Sequence, residues 1–291
     1  YAPPTRLRRV DLFLIDEGSQ VDDDIAERLF LALQELPHKP FVALAADFQQ
    51  LSPISGGSRM YWWCMDMERV ELKTIFRTND PELLQFLSGI RKKQPLKEDV
   101  RHFFRGRHLS ESLDDAVLFG LKLAKQEKKL FSWLCVTNAG ADKVNRSAIW
   151  YAGVTEEDLI TAFLGDPKVN GQAICAKVGV QLRLTRNLDK DRGFVNGAIG
   201  TIKTVLSPSV FVVKLTTGNL VLCHPVSDGE RLFLPCTYGY ATIIRRAQGS
   251  SLEMGALYFD HCYPPMRGYG YVAASRFKSK EGLFHYGKIC R

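Results

Sequence analysis

Two adjacent carboxylates, Asp16 and Glu17, close the apolar run RVDLFLIDE at residues 9–17. Successive residues of a strand face opposite ways. At a strand end, one carboxylate can therefore hold the shell of a Mg²⁺ ion while the other orients an attacking water, the arrangement nucleotide hydrolysis uses. By itself the pair is weak evidence, since apolar runs ending in acids are more often ordinary strand ends. More groups suited to phosphate chemistry follow in order: Asp47 and Gln50 in AADFQQLSPI, Arg77 in LKTIFRTND, Gln248-Gly249 in ATIIRRAQGSSLE, and Ser275-Arg276 in YVAASRFKS.

The elements that must position these residues are legible as pattern. Residues 9–17 read as a buried parallel strand delivering its acids to a cleft. A helix follows, with Asp22, Asp23 and Asp24 at its positive end, Ile25, Leu29, Leu33 and Leu36 on one apolar face, and Pro37 as its stop. FVALAADFQQLSPI (41–54) reads as a second buried strand ending in a polar turn, and RVELKTIFR (69–77) as a third strand. Asp80-Pro81 makes an N-cap and first-turn pair for a helix carrying Leu83, Leu87 and Ile90. A helix with Leu113, Val117, Leu121 and Ala124 on one face precedes the strand FSWLCVTN (131–138), and a helix through Val144 and Ile149 comes after it. From about residue 173 the texture changes to short β runs with glycine-rich connections (GVQLRLTRN, GAIGTIKTV, SVFVVKL, GNLVLCHPV), the pattern of a small antiparallel barrel inserted in a larger α/β layer.

Taken together, FLIDEGSQ, AADFQQLSPI, LKTIFRTND, ATIIRRAQGSSLE and YVAASRFKSKEGLF resemble motifs II to VI of the superfamily 1B DNA helicases, the Pif (petite integration frequency) and RecD type. WLCVTNAGADKVN is similar to the opening of that family's second motor domain, and LRLTRNLDKDRGFVNGAIGTI to its Asn-Gly segment, so the resemblance runs from about residue 9 to residue 286. It implies an α/β fold of RecA-like P-loop NTPase motor domains, parallel sheets with flanking helices, carrying a small SH3-like β-barrel. The implied division is 1–67 for the C-terminal part of a first motor domain, 68–175 with 236–291 for the second, and 176–235 for the barrel.

The same resemblance implies ATP and Mg²⁺ as cofactors, with Asp16 holding the metal through water and Glu17 acting as general base or water-orienting residue. Gln50 would sense the γ-phosphate from the first domain, and Arg77 and Arg276 would approach it from the second, as arginine fingers do. Gln248 and Gly249 would contact nucleotide and couple domain closure to DNA, and Arg245, Arg246 and Asn196 would touch nucleic acid. The implied activity is an ATP-dependent helicase or translocase moving 5′ to 3′ on single-stranded DNA as a monomeric, intracellular motor of DNA repair or recombination. Its location would be nucleus or mitochondrion in a eukaryote and cytoplasm otherwise. The alternatives are a catalytically inactive nucleic-acid-binding remnant of such a motor and an RNA-directed relative.

Departures from the family pattern sit at Ala46, usually Gly, at Ser52, usually Pro, and at Ile243 to Arg246, where the family reads Thr-Ile-His-Lys. A larger departure is the phosphate loop. No G-x-x-x-x-G-K-[ST] occurs; Gly197 to Thr204 reads GAIGTIKT, with Ile202 where the second glycine belongs, inside the barrel pattern. Since the first residue is Tyr1 and not Met, the expectation is the C-terminal part of a motor whose phosphate-loop strand lies upstream. The isolated chain would then lack ATPase activity, and its first strand would carry an unpaired edge.

Composition narrows the remaining classes. The 291 residues are 45% hydrophobic and 24% charged, which excludes dominant disorder. No apolar run reaches the roughly 18–20 residues of a membrane span, and Tyr1-Ala2-Pro3-Pro4 is not a signal-peptide start. The net charge of +7 permits a polyanionic partner. Seven cysteines without a Cys-x-x-Cys pair read as reduced thiols, not a zinc site, and the His224 and His261 neighbours of Cys223 and Cys262 read as structural. In the basic stretch Arg91–Arg107, Phe103 and Phe104 could stack bases but read better as a buried helix–loop anchor.

Overall fold

The computed structural model describes residues 5–57, 59–169, 171–261 and 268–289, so the Tyr1 to Pro4 start and Cys262 and Cys290 lie outside the described residues. After a 3₁₀ turn (Thr5–Arg9), β1 (Leu12–Ile15) runs parallel to β2 (Phe41–Leu44) with α1 (Asp23–Gln34) between them. Asp22 caps α1 by accepting from the Ile25 amide, and Asp23 and Asp24 fill its first turn, where the helix dipole favours acids. α2 (Arg59–Met65) packs against α1 through Phe30 and Trp63, whose rings meet edge to face at 5.5 Å.

Both strands differ from the buried strands their apolar runs suggest. Only four residues of each are in strand conformation, and Leu12, Leu14 and Phe41 are 53%, 69% and 82% exposed. Apolar sequence supplies the capacity for burial, while neighbours supply the burial, and among the described residues each of these strands has one partner. The helix face is likewise altered: Leu33 and Leu36 are buried, but Ile25 is 57% exposed.

Residues 69–77 are not a strand. Val70, Leu72 and Phe76 stand 84–90% exposed along an irregular connection, and among the described residues no strand pairs with them. Order resumes at Thr78, whose hydroxyl donates to the Lys278 carbonyl at 2.6 Å, and at Asp80, which caps α3 (Pro81–Lys92) by accepting from the Glu82 and Leu83 amides. α4 (Lys97–Phe103) ends on Phe103 and Phe104. Both are buried, and Phe103 stacks on Phe86 at 3.9 Å, so these rings are core and not a base-stacking surface.

Ser112 caps α5 (Leu113–Glu127), which leads into β3 (Phe131–Cys135), buried at every position, and α6 (Asn138–Tyr151). A short capped helix α7 (Glu156–Ile160) precedes the small antiparallel pair β4 (Phe163–Leu164) and β5 (Ala173–Ile174). Next, β6 (Gln181–Leu184), β7 (Ile199–Ser207), β8 (Val210–Leu215) and β9 (Leu220–Cys223) form an antiparallel meander. The Thr217-Gly218-Asn219 turn joins β8 to β9, with Gly218 at φ 91°, a conformation that favours glycine. After the pair β10 (Val226–Ser227) and β11 (Leu232–Phe233), β12 (Cys236–Tyr238) returns to β6, so the sheet order is β12-β6-β7-β8-β9. Cys223 and Cys236 meet at 3.9 Å between sulfurs, bringing the two outer strands into side-chain contact and curling the sheet towards a barrel. Gly197 to Thr204 runs into β7 and not into a helix, so it lacks the loop-to-helix setting of a phosphate loop.

The chain then adds β13 (Ala241–Ile243), a 3₁₀ turn (Ile244–Ala247), β14 (Met254–Tyr258), α8 (Tyr269–Ala274) and β15 (Leu283–Tyr286). β13, β3, β14 and β15 form a four-stranded parallel sheet in that order. Its α5 and α6 side shares a continuous core with the antiparallel sheet, and its other side packs on α3 and α8. Among the described residues no helix is long and apolar enough to cross a membrane, and no cluster of three or more His, Cys, Asp or Glu side chains could hold a metal ion.

Candidate functional site

Asp16 and Glu17 sit just past the end of β1. The Asp16 carboxylate accepts from the Glu17 amide at 2.8 Å, and Glu17 adopts φ 52°, ψ 39°, a left-handed conformation that is uncommon for a non-glycine residue and that clusters at functional sites. Gly18 follows because β2 passes close: its amide donates to the Ala45 carbonyl, and a Cβ there would lie 2.3 Å from Leu44 Cδ1. Past β2, the Asp47 carboxylate accepts from the Gln50 side-chain amide at 3.0 Å.

Gln248 joins these pieces from the far side. It caps the 3₁₀ turn after β13, and its Nε2 donates to Gln50 Oε1 at 3.0 Å and, more weakly, to Glu17 Oε2 at 3.4 Å. Its own Oε1 is buried without a partner among the described residues, an acceptor left unsatisfied at the centre of the junction. Arg91, at the end of α3, donates to Asp47 Oδ2 at 2.6 Å and to the Tyr271 hydroxyl at 2.8 Å. Burial acts to raise the Asp47 carboxyl, but the Arg91 guanidinium, with the Gln50 and Gln49 amides, holds it below its usual range.

The apolar anchor of the junction is Leu51, fully buried in the core that contains Leu83, Leu134, Ile244 and Val272. Gly268, at φ 103°, lets its backbone pass so close to the Gln49 and Gln50 carbonyls that a Cβ would lie 3.1–3.2 Å from them.

Arg77 and Arg276 come together nearby. Arg77 donates to Ser251 Oγ at 3.1 Å and to the Ser275 carbonyl at 3.3 Å; Arg276 is buried and donates to the Val272 carbonyl and to Ser275 Oγ. Every one of these acceptors is neutral. Burial, reinforced by the Arg77 charge, lowers the Arg276 pKa to about 10, against the pull of Tyr271, Glu17 and Asp47. It remains a cation at neutral pH. Arg245 turns inward and donates to the Ser52 carbonyl at 2.7 Å, while Arg246, Gly249 and Asn196 are exposed.

Asp16, Glu17, Gln50, Gln248, Arg77 and Arg276, scattered over 261 residue positions from 16 to 276, are thus gathered at one junction. Sequence reasoning missed Arg91 as a member, having placed it in a solvated basic stretch, and missed Tyr271; no spacing signal ties either to Asp47. It also missed Asp260, which accepts from the Val136 and Thr137 amides and so fastens the start of α6 to the end of β14.

The family described as an AAA domain matches residues 3–108. The ATP-dependent DNA helicase Pif1 of Bdellovibrio bacteriovorus is 27% identical over 305 residues, covering 97% of this chain and 67% of that protein. The ATP-dependent DNA helicase PIF1 of Danio rerio is 25% identical over 304 residues, covering 93% of this chain and 45% of that protein. The crystal structure of Pif1 helicase from Candida albicans superposes with a TM-score of 0.71 at 22% identity, covering 98% of this chain and 73% of that one. The fold is that of the solved Pif1 helicases. Bacteroides Pif1, in a complex with ADP-AlF3 and ssDNA, superposes with a TM-score of 0.69 at 19% identity over 97% of this chain and 72% of that one. The RecA-like parallel sheets with flanking helices, and the antiparallel sheet inserted beside them, are therefore those of the Pif1 fold. The chain spans about half the length of the vertebrate Pif1 relatives, 45% for the Danio rerio protein.

Proposed function

We propose that these residues are the C-terminal motor portion of an ATP-dependent DNA helicase or translocase that couples ATP hydrolysis to 5′-to-3′ movement on single-stranded DNA. The carrying observation is the Gln248 side chain, which touches Glu17 and Gln50 of the N-terminal sheet from the loop after β13. A change in either sheet's position must be felt at the hydrolytic carboxylate.

The residues suit a metal polyphosphate. Mg²⁺ binds through one or two carboxylates plus substrate phosphates and waters and does not need a protein cage; Asp16 is an exposed carboxylate of that kind. Opposite it, Arg77 and Arg276 bring two positive charges with only neutral acceptors, a setting that favours an anion. Bound ATP and Mg²⁺ would supply the phosphoanhydride and the charge neutralisation of its oxygens. Glu17 would orient the attacking water, with the Gln20 and Gln248 side-chain amides holding its carboxylate, Gln50 would sense the γ-phosphate, and Arg77 and Arg276 would stabilise charge on the transferring phosphoryl. Arg246, Gly249 and Asn196, all exposed, are the contacts assigned to the strand, while Arg245 braces the Ser52 loop.

The domain division follows this reading: residues 1–67 belong to a first motor domain, 68–175 with 236–291 to the second, and 176–235 to the barrel. The unit works as one chain inside the cell, in nucleus or mitochondrion if eukaryotic. Because the 291 residues contain no G-x-x-x-x-G-K-[ST], they alone turn over no ATP. The reading frame upstream of Tyr1 tests the motor: a phosphate loop after an apolar strand there supports it, while unrelated sequence makes the chain a non-hydrolysing nucleic-acid-binding remnant. In a polypeptide that includes such a loop, single-stranded DNA stimulates ATP turnover and Glu17→Gln abolishes it. DNA-stimulated turnover by the 291 residues alone, abolished by Glu17→Gln, overturns the inactivity assigned to them.

A further inference from the structure

The antiparallel sheet curls round without a ladder to close it. In the order β12-β6-β7-β8-β9, β12 and β9 are the two ends, and among the described residues no backbone pairing joins them. A pair of thiols bridges the gap instead. Cys223, the last residue of β9, stands in register with Phe211 of β8, and Cys236, the first residue of β12, with Leu184 of β6. Both cysteines are fully buried, and their sulfurs lie 3.9 Å apart within the core that also holds Leu182, Leu184, Phe211 and Val213. Two sulfurs already in contact need a further approach of about 2 Å to bond.

A buried thiol by itself is inert, but this one has a second reactant beside it. An oxidised sulfur at either position would meet the other cysteine before any thiol from solution. Residues 224–235, which carry the β10 and β11 pair, are the whole connection between the two cysteines, so a bond between them would close a short loop and tie the ends of the sheet together. The Cys223 contact, and burial with it, push the Cys236 thiol up. The closed pair is therefore a weak nucleophile, and its reaction waits on local opening of the seam between β9 and β12.

We propose that Cys223 and Cys236 are a redox latch that hydrogen peroxide converts into a reversible disulfide, locking the two ends of the antiparallel sheet together. One thiolate attacks a peroxide oxygen, the O–O bond breaks and hydroxide leaves, which makes that sulfur a sulfenic acid. The second thiolate then attacks this sulfur, forming the S–S bond and expelling the second hydroxide. Each hydroxide takes up one of the two thiol protons, so two thiols are oxidised while one peroxide is reduced to two waters. In the reduced state the seam is held by packing alone, and in the oxidised state it is held covalently. The latch lies apart from the nucleotide junction and does not depend on the motor reading.

Peptide mapping of the 291-residue chain after peroxide treatment and alkylation, with thermal melting of the same samples, tests the latch. In most chains the Cys223 and Cys236 peptides are expected to be joined and lighter by two hydrogens, while Cys135 and Cys175, also buried, are recovered as thiols. The melting temperature should rise by at least about 5 °C, because the cross-link constrains the unfolded chain, and dithiothreitol should reverse both changes. Cys223→Ala, treated alike, should show neither. Where that variant does not fold, reversal by dithiothreitol in the wild type decides the matter. Recovery of Cys223 and Cys236 as free thiols under conditions that oxidise the more accessible Cys64 overturns the proposal. So does a cross-link that leaves the melting temperature unchanged or lowers it.

Discussion

The two parallel sheets are built from similar apolar runs, yet one is buried and the other is not. β3 is buried at all five positions, flanked by β13 and β14 and covered by α5 and α6 on one side. Among the described residues β1 has β2 as its one strand partner, and Leu12 and Leu14 are 53% and 69% exposed. The buried centre of the N-terminal part is correspondingly small: Ile15, Ala26 and Met60. That part holds its place through Leu51 in the neighbouring core and through the Gln248 and Arg91 hydrogen bonds. It is therefore positioned by the same junction that gathers the proposed site residues.

Four substitutions can break or sharpen this contrast. The largest effect belongs to Gly255→Ala, because a Cβ there lies 1.9 Å from the Ser132 backbone carbonyl in the central pair of strands, and a rigid backbone cannot yield. Loss of more than about 4 kcal/mol is expected in urea unfolding. Its N-terminal counterpart, Gly18→Ala, meets only the flexible Leu44 side chain and should cost about 1–2 kcal/mol. Next comes Leu134→Ala, at a fully buried position, expected to cost roughly 2–5 kcal/mol, whereas Leu14→Ala should stay within about 0.5 kcal/mol. Equal costs for these two leucines would erase the contrast.

The junction itself has an acid signature. The Asp47 carboxyl is held below its ordinary value of 3.8, so the stability it contributes is present above that value and is lost as pH falls through its lower folded value. Melting temperature measured from pH 6 down to pH 2 should therefore fall less steeply in Asp47→Asn than in wild type, and an identical slope would remove Asp47 from the account. Smallest is Gly89→Ala in α3, where a Cβ meets nothing within 4 Å; a gain of about 0.5–1 kcal/mol is expected.

What could be read from the chain divides along the same physical line. Local signals were legible: Asp22 and Asp80 as caps, Pro81 opening α3, the Thr217-Gly218-Asn219 turn, and the β texture of the inserted sheet all depend on neighbours in sequence. The ordered motifs also pointed to Glu17, Gln50, Gln248, Arg77 and Arg276 before any contact between them was visible. Long-range facts were not legible. Among the described residues, 69–77 have a strand's composition but no edge to pair with, and β1 and β2 have a buried strand's composition but one strand neighbour each. Arg91 looked like one charge in a basic run until α3 brought it to Asp47 and Tyr271.

ATP turnover is the most direct test of the central claim, measured with and without single-stranded DNA for these 291 residues and for the same residues extended by a helicase phosphate-loop segment. The expected result is no turnover in the first, DNA-stimulated turnover in the second, and its loss on Glu17→Gln. Turnover in the extended protein that survives Glu17→Gln would contradict the role assigned to the junction.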